Sequence, residues 1–65
     1  RKPAPQPYLA VAEALGAPVD ECLFIDDMPI NVRGAEAVGM EGFHFDVADP
    51  EGSIEDLRAR LGVVG

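Results

Sequence analysis

Apolar residues fall along this chain in groups whose spacing alternates between helical and extended. Tyr8, Leu9, Val11, Ala12 and Leu15 recur at helical spacing and stop at Gly16, which predicts a first helix. Pro5 and Pro7 are allowed in its first turn, where backbone N–H groups lack intrahelical partners. Cys22 to Ile25 is an unbroken apolar run bounded by charge, the pattern of a strand buried on both faces. Pro29 suits the first position of a second helix carrying Ile30, Ala35, Ala37 and Val38 and ending at Gly39. Gly34 inside that helix costs about 1 kcal/mol relative to alanine, a cost justified by close packing of helix on sheet. In "GFHFD", residues 42–46, Phe43 and Phe45 fall on one face and His44 on the other, which predicts a second strand. Ser53, with Asp56 three residues on, reads as a capping box opening a third helix whose apolar face is Ile54, Leu57 and Leu61.

The order helix, strand, helix, strand, helix implies an α/β fold with parallel pairing by crossover connections. Two strands make too small a sheet, and a strand as apolar as Cys22–Ile25 belongs in the middle of one. Residues 1–65 therefore read as the C-terminal flank of a larger Rossmann-like, doubly wound parallel sheet. Size agrees, because 65 residues lie near the lower limit for independent folding. The single cysteine, Cys22, excludes an internal disulfide, and no Cys/His cluster has zinc spacing. An apolar fraction of 48% is nevertheless that of a globular core. The chain opens "RKPAPQP" without an initiator methionine, so it is expected to be a piece of a longer protein. A net charge of −7 argues against nucleic-acid or anionic-membrane partners, both of which need a basic face. No apolar run approaches the ~20 residues that span a bilayer. With an unpaired cysteine and no secretory leader in view, the expected location is cytoplasmic.

Chemistry concentrates where the first strand ends. Asp26 and Asp27 fall at its carboxyl end, the edge at which open α/β sheets bind ligands. Adjacent carboxylates repel, and desolvating them is unfavourable unless a cation or hydrogen-bond donors hold them. A strand-end turn with solvated acids is one reading. Half of a magnesium site is the other, since Mg²⁺ takes one or two carboxylates plus waters and phosphate oxygens.

"KPAPQPYLAVAEALG" followed by "ECLFIDDMPINVRGAEAVGM" is an ordered pair of motifs separated by a helix-sized gap. Across residues 2–46 the chain resembles the third and fourth motifs of the haloacid dehalogenase-like (HAD) hydrolase superfamily. The resemblance implies that Lys2 is the third-motif lysine, which neutralises the nucleophilic carboxylate and grips the transferred phosphate. It implies Asp27 as a direct Mg²⁺ ligand, Asp26 in the outer shell, and Asn31 as the residue supporting the metal site. Met28 and Ala4 depart from the serine and the polar cap that relatives often carry, which weakens capping by roughly 1 kcal/mol each. The nucleophilic and acid/base aspartates of the first motif, the Ser/Thr of the second and any cap domain are absent from these residues. Asp46 and Asp49 do not have the spacing or position to replace them.

The implied activity is that of a Mg²⁺-dependent phosphatase acting on small phosphorylated metabolites through an aspartyl-phosphate, completed by the upstream part of the same protein. The fragment alone is expected to be inactive and to bind Mg²⁺ weakly. Two alternatives stand beside it, a non-catalytic scaffold of the same fold and a receiver-like phosphoacceptor module. The receiver reading demands a lysine after the phosphoacceptor, and none follows Asp46.

The other polar and reactive residues read as structural. His44 is expected to be partly buried, Cys22 to behave as a small hydrophobe, Met40 to join the core, and Tyr8 to pack on the inner face of its helix. The acids of "DPEGSIED" read as a solvated loop and helix start, and Arg33 has no assigned role.

Overall fold

The computed structural model describes residues 6–63. Its elements are α1 (Gln6–Leu15), a single 3-10 turn (Val19–Glu21), β1 (Leu23–Asp26), α2 (Pro29–Ala37), β2 (Glu41–His44) and α3 (Pro50–Leu61). The two strands pair in parallel with Leu23 opposite Glu41 and Asp26 opposite His44. The order and the parallel pairing are those expected from the sequence, and the architecture is one flank of a Rossmann-like sheet.

Local chemistry explains most of the boundaries. α1 stops because Gly16 adopts φ 69, a left-handed conformation that side chains disfavour. Pro29 occupies the first turn of α2, and Met28 at its N-cap makes no side-chain cap bond. α3 begins earlier than the Ser53 box predicts. Asp49 is its N-cap, accepting a hydrogen bond from the Gly52 N–H at 3.1 Å, and Pro50 follows at the first helical position. Ser53 instead lies buried inside the helix, where its hydroxyl accepts from the Asp46 N–H at 2.9 Å and donates to the Asp46 carbonyl at 3.2 Å. An Asp-Pro pair satisfies the first turn outright, so the serine is free to tie the preceding loop to the helix.

The sheet carries helices on both faces. On one face Phe24 and Gly42 lie side by side, and a Cβ at Gly42 would come within 2.7 Å of both Val32 and Glu36. The absent side chain is what lets β2 press against α2. Tyr8, Ala12, Cys22, Ala35 and Met40 form the core on this side, with the Tyr8 ring edge-on to Phe24 at 5.2 Å. On the opposite face the Arg60 guanidinium of α3 sits 5.7 Å from the Phe43 ring centroid.

Burial departs from the sequence expectation in a consistent direction. The first strand is not covered on both faces: Ile25 is 44% exposed. Leu9 and Val11 of α1 are exposed and Leu15 is 69% exposed, while Ile54 and Leu61 of α3 also face outward. These apolar positions belong to surfaces that two strands and three helices are too few to cover. His44 is exposed, not partly buried. Its strand ends at that residue.

Candidate functional site

The site is built at the point where β1 gives way to α2. Asp26 is the last residue of β1 and its carbonyl accepts the Phe45 N–H at 2.8 Å, so the parallel ladder holds the backbone up to the first acid. Asp27 lies in the bend beyond, exposed. Pro29 then starts α2, and the Asn31 and Val32 amides both close on the Met28 carbonyl at 3.0 and 3.2 Å. That first turn delivers the Asn31 side chain back to the strand end, where Nδ2 donates to Asp26 Oδ2 at 2.7 Å.

Electrostatics follow from this bond. The Asn31 amide holds the half-buried Asp26 carboxyl below the usual carboxylate range, against an opposing effect of partial burial and with help from the Asp27 and Met28 backbone amides. Among the described residues, the groups that lower its pKa are the Asn31 amide, the Asp27 and Met28 backbone amides and the Asp27 side chain, none of them basic. One oxygen is committed to Asn31, and the neighbouring Asp27, an exposed residue, interacts with Asp26 through its side chain as well as its backbone amide. Two hard oxygen donors aimed from a rigid strand end are the donor type Mg²⁺ takes, but they are only part of a shell. Among the described residues no group of three possible metal ligands comes together.

Of the residues singled out by sequence, Asp26, Asp27 and Asn31 gather at this end, with Asn31 bonded to Asp26. Lys2 lies outside the described residues. Asp46 and Asp49 are engaged in structural hydrogen bonds, Asp46 Oδ1 accepting the Ala48 N–H at 3.0 Å and Asp49 capping α3. One residue acquires a place that periodicity alone did not give it. The ring of His44 reaches across from β2, and its Nε2 lies 2.9 Å from the Asp27 carbonyl. No sequence pattern pointed to it, because the parallel register that sets His44 opposite Asp26 is not written in the side chains.

Beside β1 runs an open groove of about 620 Å³ whose lining includes Tyr8, Val11, Leu15, Leu23, Phe24 and Asn31. It is apolar along the strand and reaches the acid site at Asn31.

The chain is similar to proteins of known name. It is 49% identical over 49 residues to flavin mononucleotide hydrolase 1 of Arabidopsis thaliana, a match covering 75% of this chain and 20% of that protein. It is 40% identical over 65 residues to phosphatase MT3486 of Mycobacterium tuberculosis, covering 97% of this chain and 30% of the relative. The chain therefore spans between a fifth and a third of the length of these relatives. Its fold matches a crystal structure of an uncharacterised protein from Corynebacterium glutamicum with a TM-score of 0.79 and 29% identity, over 100% of this chain and 46% of that one. No family model matches the chain.

Proposed function

Since this chain belongs to the haloacid dehalogenase-like hydrolase superfamily, whose members it resembles through its third and fourth motifs, we propose that the full-length protein is a magnesium-dependent phosphatase of small phosphomonoesters. The observation that carries the proposal is the Asp26–Asp27 pair at the carboxyl end of β1, with Asn31 donating to Asp26 at 2.7 Å.

Each residue has a separate role in this reading. Asp27, exposed at the bend, is the direct Mg²⁺ ligand. Asp26, turned toward Asn31, orders the surroundings of that ligand and stays charged while doing so. Lys2 neutralises charge around the phosphate as a point cation. When bound, Mg²⁺ supplies charge stabilisation to the phosphoryl oxygens. The nucleophilic aspartate that carries the phosphoryl group as an aspartyl-phosphate belongs to the upstream part of the protein. That part takes the groove beside β1, because a strand there pairs the free edge and covers Leu23 and Phe24 at once. The names of the relatives support the phosphatase class, and the flavin mononucleotide hydrolase makes that phosphomonoester a sensible first substrate to assay.

The test uses the full-length protein with an aryl phosphate and with flavin mononucleotide. Magnesium-dependent hydrolysis is expected, and Asp27→Asn lowers it by at least about a hundredfold while circular dichroism stays unchanged. Residues 1–65 alone are expected to be inactive. Undiminished turnover in the Asp27→Asn protein removes that residue from the metal site.

A further inference from the structure

We propose that His44 is a positioning residue for the metal-facing acid, acting through the Asp27 peptide group. The inference rests on the phosphatase reading and adds a residue to its site. Its basis is the way two consecutive carbonyls are held. The Asp26 carbonyl accepts a backbone N–H from Phe45 at 2.8 Å, a bond any residue at that position supplies. The Asp27 carbonyl lies one residue past the strand and before the helix, whose first turn closes on Met28. There the partner is a side chain, His44 Nε2, at 2.9 Å. A carbonyl has no proton to give, so the ring donates and its neutral form is the Nε2–H tautomer.

A fixed Asp27 peptide limits the backbone torsions that place its Cβ, from which a single side-chain torsion positions the carboxyl carbon. Fixing that peptide against β2 narrows the range of positions that carboxylate samples before any cation arrives. Outer partners of metal ligands typically change metal affinity by about 10- to 100-fold when removed, and an exposed bond such as this one belongs at the lower end.

The experiment compares full-length wild type with His44→Ala and His44→Gln, since the glutamine amide nitrogen occupies nearly the place of Nε2. Magnesium is titrated while the Asp27 and Met28 amide signals are followed by NMR, and the same midpoint is read from turnover. A long-range nitrogen–proton spectrum of the His44 ring reports the tautomer independently of activity. The expected result is an Nε2–H ring, a magnesium midpoint about tenfold higher in His44→Ala, and restoration by His44→Gln. Turnover at saturating magnesium and KM for the phosphate ester stay near wild type, which general damage to the fold would not allow. An Nδ1–H ring, an unmoved midpoint in His44→Ala, or a glutamine variant no better than alanine overturns the role of His44. A wild-type protein whose amides and turnover ignore magnesium overturns the phosphatase reading, and the positioning role falls with it.

Discussion

The two long edges of the sheet are built on opposite terms. Cys22 and Asp26 turn their carbonyls toward β2, so Leu23 and Ile25 of β1 direct theirs the other way, on the side where Leu23 lines the apolar groove. On β2, Glu41 and Phe45 give their amides to β1, so Gly42 faces outward. Yet the Gly42 carbonyl is occupied: Arg60 of α3 donates to it at 2.6 Å while its guanidinium lies over Phe43. Among the described residues, the β1 edge borders an open apolar groove, while a cation from the same chain occupies the Gly42 carbonyl on the β2 edge. A charged edge resists strand addition and an uncovered one invites it, so the sheet is built to grow from β1 alone.

Hydrogen exchange tests that asymmetry with the largest expected effect. If, as proposed, the full-length protein adds a strand beside β1, the Leu23 and Ile25 amides exchange quickly in residues 1–65 alone and at least about a hundredfold more slowly in the full-length protein. The Gly42 and His44 amides change little between the two. Equal exchange at Leu23 in both proteins breaks the comparison.

The close contact under β2 comes next. Gly42→Ala forces a methyl into Val32 and Glu36, and Val32, β-branched and buried, has little freedom to yield. A loss of about 1–3 kcal/mol is expected, read as a lower urea midpoint with unchanged slope. Removing the edge clamp has a smaller effect. Arg60→Ala lowers stability by about 1 kcal/mol and introduces concentration-dependent association, measurable by sedimentation, as β2 becomes available for pairing.

The smallest effect is a pH dependence on the open side. Asp26 has a depressed folded-state pKa, so its contribution to stability is present above the ordinary carboxylate pKa and is lost as pH falls through the lowered folded value. Asn31→Ala moves the Asp26 titration upward in a carboxyl-carbon NMR experiment, and acid unfolding then begins at a higher pH. An unmoved titration shows that the 2.7 Å bond is not what holds the charge.

The same asymmetry explains what was legible beforehand. Signals that act within a few residues were readable: the stop at Gly16, Pro29 opening α2, and the acid pair ending a strand. Two competing local signals were harder to rank. Asp49–Pro50 and Ser53–Asp56 both describe helix starts, and the pair that satisfies the first turn with N-cap and proline prevails, leaving Ser53 for Asp46. Burial was least legible, because periodicity says which face is apolar but not what covers it. Ile25 and Leu15 have the pattern of core residues and remain exposed along surfaces that this stretch of chain does not fill. His44 was obscured for a different reason, since its partner is a backbone atom brought close by register, which side-chain patterns do not encode.

The bonds that aim the acids are all internal to one continuous stretch: Asn31 to Asp26, Phe45 to Asp26 and His44 to Asp27. That stretch is heritable as a block. Recombination between relatives with a breakpoint before Leu23 or after Asp46 carries the aim across intact, and one between Asp27 and His44 assembles a bend from one parent with an anchor from another. Chimeras cut between Asp27 and His44 would test the proposed metal site by replacing one side of the His44–Asp27 contact, which cuts before Leu23 or after Asp46 keep, so the β1–α2–β2 segment is the natural exchange unit of these contacts.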